Sequence, residues 1–292
     1  MLTRRELIKN TALLAAFSPV SEFDQLFAAG PKRKFRIGAC DWSIGKNSDI
    51  QAFAVAKQIG LDGIMVNMGS EKNNLHLRNS SLQQSYLDAS RKTGVKISSI
   101  AIGELNNIPY KSDPRTEEWV WDSIEVAKNL GVSVVLLAFF NKNDLRNDEQ
   151  GKKEVIRRLK IAAPHAEKQG IILGIESYLN AAEHLEIIEK VGSGNVKAYV
   201  DFRNTADAGY DVFKEVKQLG SNKICELHMK ENGFLLGKGT LPWQKIRDLI
   251  YEMNYFGDGW MQIEGAIPNK ADVVESYVKN LQFLRGLFKK PV

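Results

Sequence analysis

The chain has no run of apolar residues long enough to span a bilayer, so no stable membrane anchor is expected. It has only two cysteines, Cys40 and Cys225. Both fall in predicted strands beside apolar residues, where such a pair is usually two buried thiols; a disulfide in an oxidising compartment stays open. Low-complexity stretches are lacking, and so is any sign of an internal domain boundary. There is also little real charge imbalance behind the formal +5. Residues 1–30 are neutral overall, Lys32, Arg33, Lys34 and Arg36 carry four of the excess charges in one short linker, and everything from Ile37 onward is only +1. A nucleic-acid binder spreads its basic excess over a folded face, so a nucleic-acid partner is not expected. What is present is an ordinary globular composition, 43% hydrophobic and 26% charged over 292 residues, enough for one large α/β barrel or two small domains.

The first thirty residues read apart from the rest. Thr3-Arg4-Arg5-Glu6-Leu7-Ile8-Lys9 sets a twin arginine before a modest apolar stretch, Ala12 to Phe17, and small residues follow at Ala28, Ala29 and Gly30. This order resembles a twin-arginine export signal, an address read by the export machinery. Residues 1–30 are therefore expected to be the signal, residues 31–292 the folded domain, and the location periplasmic. Pro31 argues against cleavage directly after Gly30. The alternative is an amphipathic N-terminal helix on a cytoplasmic protein.

From residue 35 short apolar runs alternate with helical patterns. The runs are Phe35–Cys40, Gly63–Asn67, Lys96–Ile102, Ser133–Phe140, Ile171–Glu176, Ala198–Asp201, Ile224–His228 and Met261–Glu264. They are rich in Ile, Val and Leu without strict alternation, which suits parallel strands buried on both faces. Helical segments between them are predicted over Asp49–Ile59, Ser81–Thr93, Asp113–Leu130, Asp148–Gln169, Asn180–Val191, Asp207–Leu219, Pro242–Met253 and Ala271–Phe288, and the first six end at a glycine. Eight strand–helix units in about 255 residues match a single (β/α)₈ TIM barrel. A doubly wound sheet is the alternative, but its phosphate loop is missing: the first strand ends in Ala39-Cys40-Asp41-Trp42.

A TIM barrel carries its active site at the C-terminal ends of its strands. Strands five to eight end in Glu176, Asp201, His228 and Glu264, each after an apolar run. A charge there is costly unless paired or bound to an ion. Three carboxylates and one imidazole suit a single divalent ion: Mn²⁺, Mg²⁺ or Co²⁺, with Zn²⁺ also possible. The ion-free alternative is a salt-bridged barrel rim.

This series, with Gly174-Ile175-Glu176, Val200-Asp201-Phe202-Arg203-Asn204, His228-Met229-Lys230 and the Leu236-Gly237-Lys238-Gly239 turn before Pro242-Trp243, resembles the xylose-isomerase-like barrels known as sugar phosphate isomerases/epimerases, which include tagatose 3-epimerase. The resemblance covers roughly residues 35–290. It implies a sugar isomerase or epimerase in which a metal polarises a ketose carbonyl and its neighbouring hydroxyl. Glu176 and Glu264 would then be the paired acid and base as well as ligands, and Asp201 and His228 ligands only. The same two glutamates could instead bind a metal without moving protons.

There are two departures from the tagatose epimerase type. Its His three residues after the strand-six Asp is here Asn204, which can hydrogen-bond a hydroxyl but cannot carry a proton near neutral pH. Its arginine soon after strand seven is absent from residues 232–237. The export reading also argues against a sugar phosphate. Two alternatives therefore stand: a lyase or hydratase acting on 3-keto-glycosides, and a noncatalytic sugar-binding barrel. The three-zinc endonuclease type of this fold is excluded, because only one of the four histidines, His228, ends a strand.

Substrate contacts are expected from Trp42, Glu104, Asn204 and Lys230, with Asn106 beside Glu104. Lys230 could instead pair with Glu226 or Glu231, and Trp42 could belong to the core. Arg203 is read as an anchor for Asp201 rather than a phosphate ligand. Lys142 and His76 read as surface residues, and His165 and His184 as helix positions without chemistry.

Overall fold

The computed structural model describes residues 34–289; the predicted export signal, residues 1–30, lies outside them. Eight strands are hydrogen-bonded in chain order and close into an all-parallel barrel. They are β1 (Arg36–Cys40), β2 (Gly63–Asn67), β3 (Lys96–Ile102), β4 (Val134–Phe139), β5 (Ile172–Ser177), β6 (Val196–Asp201), β7 (Ile224–Lys230) and β8 (Trp260–Glu264). The last pairing, β8 with β1, runs Arg36↔Trp260 to Ala39↔Ile263 and leaves no edge. The described helices are α1 (Ala52–Ile59), α2 (Ser80–Thr93), α3 (Arg115–Leu130), α4 (Glu149–Gln169), α5 (Ala181–Val191), α6 (Phe202–Asp207), α7 (Val212–Leu219), α8 (Trp243–Glu252) and α9 (Val273–Leu287).

The near-continuous apolar runs have a direct cause. Successive strand residues point to opposite faces, and here both faces are buried. Outward residues such as Val135, Leu137 and Phe139 pack with the helices in one large core, whereas Val134, Leu136 and Ala138 join Cys40, Met65, Ala101, Tyr199 and Cys225 in a second cluster inside the barrel. Helix ends follow the predicted punctuation. Gly131, for example, sits at φ 71° and sends its N–H back to the carbonyls of Ala127 and Lys128, a left-handed cap that a side chain would strain.

Element boundaries differ from the sequence reading by a few residues, and two differences matter. β7 runs to Lys230 rather than stopping at His228, because Lys230 pairs in register with Glu264 of β8. The helix predicted over Asp207–Leu219 begins only at Val212, as α7, and a short helix that was not predicted, α6, precedes it directly after Asp201. Six residues are too few for a helical period to show.

Candidate active site

The four predicted ligands converge. One ligand atom from each of Glu176, Asp201, His228 and Glu264 lies within 4.8 Å of all the others. The barrel register accounts for this: Asp201 sits opposite His228, and Glu176 and Glu264 end the strands on either side, β5 and β8. His228 Nδ1 is 2.9 Å from Glu176 Oε1, 3.5 Å from Glu264 Oε2 and 4.0 Å from Asp201 Oδ2. All but Glu264 are fully buried.

Each side chain is held by its surroundings. Asp201 caps α6: its Oδ1 accepts from the backbone N–H groups of Arg203 and Asn204 at 2.7 and 2.9 Å, an ordinary N-cap use of aspartate. Its Oδ2 is buried and has no hydrogen-bond partner. Lys230 Nζ at 3.6 Å and His228 Nδ1 at 4.0 Å face it without a hydrogen bond, and a buried carboxylate oxygen that accepts none is costly; this one lies among the other three candidate ligand atoms. Asn204 is turned inward by the same helix and donates Nδ2 to Glu176 Oε1 at 3.1 Å. Glu264 accepts from Trp42 Nε1 at 2.8 Å and from Lys230 Nζ at 2.9 Å. Behind the cluster, His228 Nε2 meets Cys40 Sγ at 3.3 Å, and the ring of Tyr199 lies 4.6 Å from the imidazole. Tyr199 fits there because Gly174, two residues before Glu176, has no side chain: a Cβ would come 3.3 Å from the Tyr199 ring and 2.8 Å from Cys225 Sγ.

The electrostatics are those of crowded acids. Burial, with repulsion from Glu176 and Glu264, outweighs the pull of Lys230 and raises Asp201 to about 7. Burial also works against Glu264 ionising, but His228 and Lys230 overcome it and bring it down to about 2. Burial disfavours a charge on His228, yet Glu176 and its neighbours raise its pKa well above the usual histidine value. Burial lifts the Cys40 thiol to about 12, so it faces His228 as a neutral S–H. Clustered carboxylates, an imidazole edge and an Asp201 oxygen that accepts no hydrogen bond fit a divalent cation. Glu176, Asp201, His228 and Glu264 would hold it, the ion displacing a proton from the imidazole.

A cavity of about 520 Å³ opens over the cluster, lined in part by Trp42, Glu104, Asn106, Asn204 and Lys230. All four predicted substrate contacts therefore reach it. Trp42 is at the cavity wall and also packs against the apolar cluster inside the barrel. Lys230 pairs with Glu264 and, at 3.6 Å, with Asp201, and with neither of the partners considered from sequence. Glu226 faces the barrel interior beside Ser99 and Gln262, and Glu231 is tied to Leu241 and Trp243. The Arg203 side chain reaches Asp207 and Thr240; only its backbone holds Asp201. The two cysteines are free and buried. His184 bonds Ser177 and Asn180, and His165 pairs with Glu125 and stacks on Trp121. Sequence reasoning missed Cys40 as a site residue, and it missed the cavity wall of Asn47, Asn67 and Asn73 with Phe140 and Tyr178.

Residues 53–287 match the family described as Xylose isomerase-like TIM barrel, and the chain belongs to that family. Among curated relatives, it is 24% identical to the 2-epi-5-epi-valiolone 7-phosphate 2-epimerase of an Actinoplanes species over 67% of this chain and 72% of that one. It is 27% identical to the D-psicose 3-epimerase of Enterocloster bolteae over 40% and 42% of the two chains. Among solved structures, the D-psicose 3-epimerase of Clostridium cellulolyticum superposes with a TM-score of 0.73 at 15% identity, covering 87% of this chain and 99% of that one. The 3-keto-D-glucoside 4-epimerase of E. coli gives 0.70 at 16%, covering 87% and 100%. Likeness at such identity establishes the fold. These sequence relatives are epimerases of a sugar and of a sugar-like cyclic ketone phosphate, and this chain is a barrel of the sugar isomerase/epimerase kind.

Proposed function

We propose that the protein is a divalent-metal-dependent sugar epimerase or isomerase in which Glu176 and Glu264 move a proton at the carbon beside a carbonyl. The observation that carries this reading is the convergence of four candidate ligand atoms within 4.8 Å, one of them an Asp201 Oδ2 that is buried and accepts no hydrogen bond. A bound divalent ion supplies Lewis-acid polarisation of the carbonyl and adjacent hydroxyl, making the neighbouring C–H acidic. Glu176 and Glu264 end strands on either side of the Asp201 and His228 strands, so one carboxylate removes the proton and the other returns one from the opposite face. Asn204 orients Glu176, while Trp42 and Lys230 orient Glu264. Lys230, paired with Glu264 and Asp201, keeps a cation at the inner end of the cavity.

The test is proton exchange with solvent. The metal-loaded protein, incubated in heavy water with free ketohexoses, should place deuterium on the carbon next to the carbonyl. A parallel incubation with a 3-keto-glycoside reads the competing reaction. Asn204, committed to Glu176 where the tagatose epimerase type has a histidine, favours keeping that second reading: a C3 carbonyl acidifies C2–H, and the same carboxylates serve elimination of the C1 substituent. Deuterium in neither substrate class would overturn both readings.

Cys40 supports the site from behind. Its sulfur meets Nε2 and so turns Nδ1 toward the carboxylates. Supporting contacts of this kind are worth roughly 10–100-fold in metal affinity, and Cys40→Ala should lose about that much in a metal titration, with Cys40→Ser recovering part of it. Unchanged affinity in Cys40→Ala would mean that packing alone sets the ring.

A further inference from the structure

The cavity extends well past the ligand cluster, and its far wall has its own chemistry. The inner end holds Glu176, Asn204, Lys230 and Glu264, and the outer wall comes from the turns after β1, β2 and β3. Three asparagines of that wall are fixed by their oxygens. Asn47 Oδ1 accepts from Asn67 Nδ2 at 2.8 Å. Asn73 Oδ1 accepts from the N–H groups of Ser70 and His76 at 2.9 and 3.3 Å. Asn106 Oδ1 accepts from Phe140 N–H at 2.9 Å. Among the described residues their NH₂ ends have no protein partner, so each presents a pre-set donor. Glu104 supplies acceptors in the same wall, held by the Glu71 N–H and by Asn107 at 3.1 Å each. Phe140 and Tyr178, edge to face at 4.9 Å, add an aromatic surface. Oriented donors, an acceptor and aromatic faces are what a hydroxyl-rich ring with an apolar C–H side needs.

The same wall is wrong for a phosphate. A phosphate ester carries close to two negative charges at neutral pH and calls for arginine, lysine or a free helix N-terminus. Lys230 is the one cation among the described lining residues, and it is engaged by Glu264 and Asp201. Nearby, Arg146 lies over the Tyr178 ring at 4.6 Å and is paired with Asp144. The first amides of α6 are filled by Asp201. A dianion at the outer wall would face the Glu104 carboxylate instead. The cavity, at about 520 Å³, falls in the range that encloses a drug-sized ligand, which a lone ketohexose does not reach.

We infer that the outer wall is a second sugar subsite, and that the substrate is an unphosphorylated sugar carrying a further ring: a disaccharide or other glycoside. The inference rests on the reading of the inner end given above and names its substrate class. Calorimetric titration of the Mn²⁺-loaded protein with D-psicose, with the ketose-terminated disaccharide lactulose and with D-fructose 6-phosphate tests it. Lactulose should bind roughly tenfold tighter than the monosaccharide, a gain typical of a few added hydrogen bonds and a stacked ring, and the phosphate should bind no tighter than psicose. Glu104→Ala and Asn73→Ala should each bring the lactulose-to-psicose ratio toward one. Equal affinity for lactulose and psicose would overturn the subsite and leave the metal-centred reading standing. Tightest binding by the phosphate would overturn the neutral class. A ratio unmoved in both variants would overturn these residues as the subsite, and no binding by any probe would overturn this inference and the sugar reading together.

Discussion

Turnover should fall roughly 10²–10⁴-fold when Glu264 is changed to glutamine, and by a similar factor in Glu176→Gln. That is the range lost when a general base or acid is removed. Glutamine keeps the size and one oxygen for a metal, so sugar binding should survive in part. The local contacts make the change mild in structure. Glu264 Oε1 takes its hydrogen bond from Trp42 and Oε2 from Lys230, and an amide oxygen can keep one of the two. Metal content has to be measured beside the rate, since a lost ion would imitate a lost base. If both variants hold metal and turn over near the normal rate, the paired-carboxylate mechanism is wrong even though the fold stands.

The second large effect concerns His228. It is the imidazole of the cluster and its best packed member, fully buried between Cys40, Tyr199 and Glu176. His228→Ala should cost more metal affinity than loss of a supporting group does, so roughly 100-fold or beyond. His228→Asn, closer in shape and still able to offer an oxygen, should fall between. A circular-dichroism melt of each variant separates a lost ligand from a lost fold. An unaltered metal affinity in folded His228→Ala would remove His228 from the ligand set.

How much of this could be read from the chain differs by residue. The barrel was legible because strands buried on both faces leave uninterrupted Ile, Val and Leu, and because glycine closes so many helices. The four clustered residues were legible because a charged side chain at the end of such a run is conspicuous. Their convergence follows from the closed parallel register. Lys230 is a mixed case. Its two-residue spacing from His228 places it on the same face, but its partner Glu264 is set by the pairing of β7 with β8, which the sequence does not show. Cys40 looked like an inert buried thiol, because its contact with His228 spans 188 residues of sequence. Asp201 carried a signal that could have been used: an aspartate before Phe202-Arg203-Asn204 is a plausible helix cap, and a capped Asp201 has one oxygen left over. The outer wall was least legible. Glu104 and Asn106 could be picked out because they follow the third strand, but Asn47 and Asn73 are ordinary loop residues in sequence, and only the turns after β1, β2 and β3 bring all four to one cavity.

The most direct measurement is the metal content of the purified protein, taken together with activity before and after chelation. The account predicts about one divalent ion per chain, as a single cluster of four ligands requires. Exhaustive chelation should abolish sugar turnover, and return of Mn²⁺ or Co²⁺ should restore it. A fully active, metal-free protein would contradict the account at its centre.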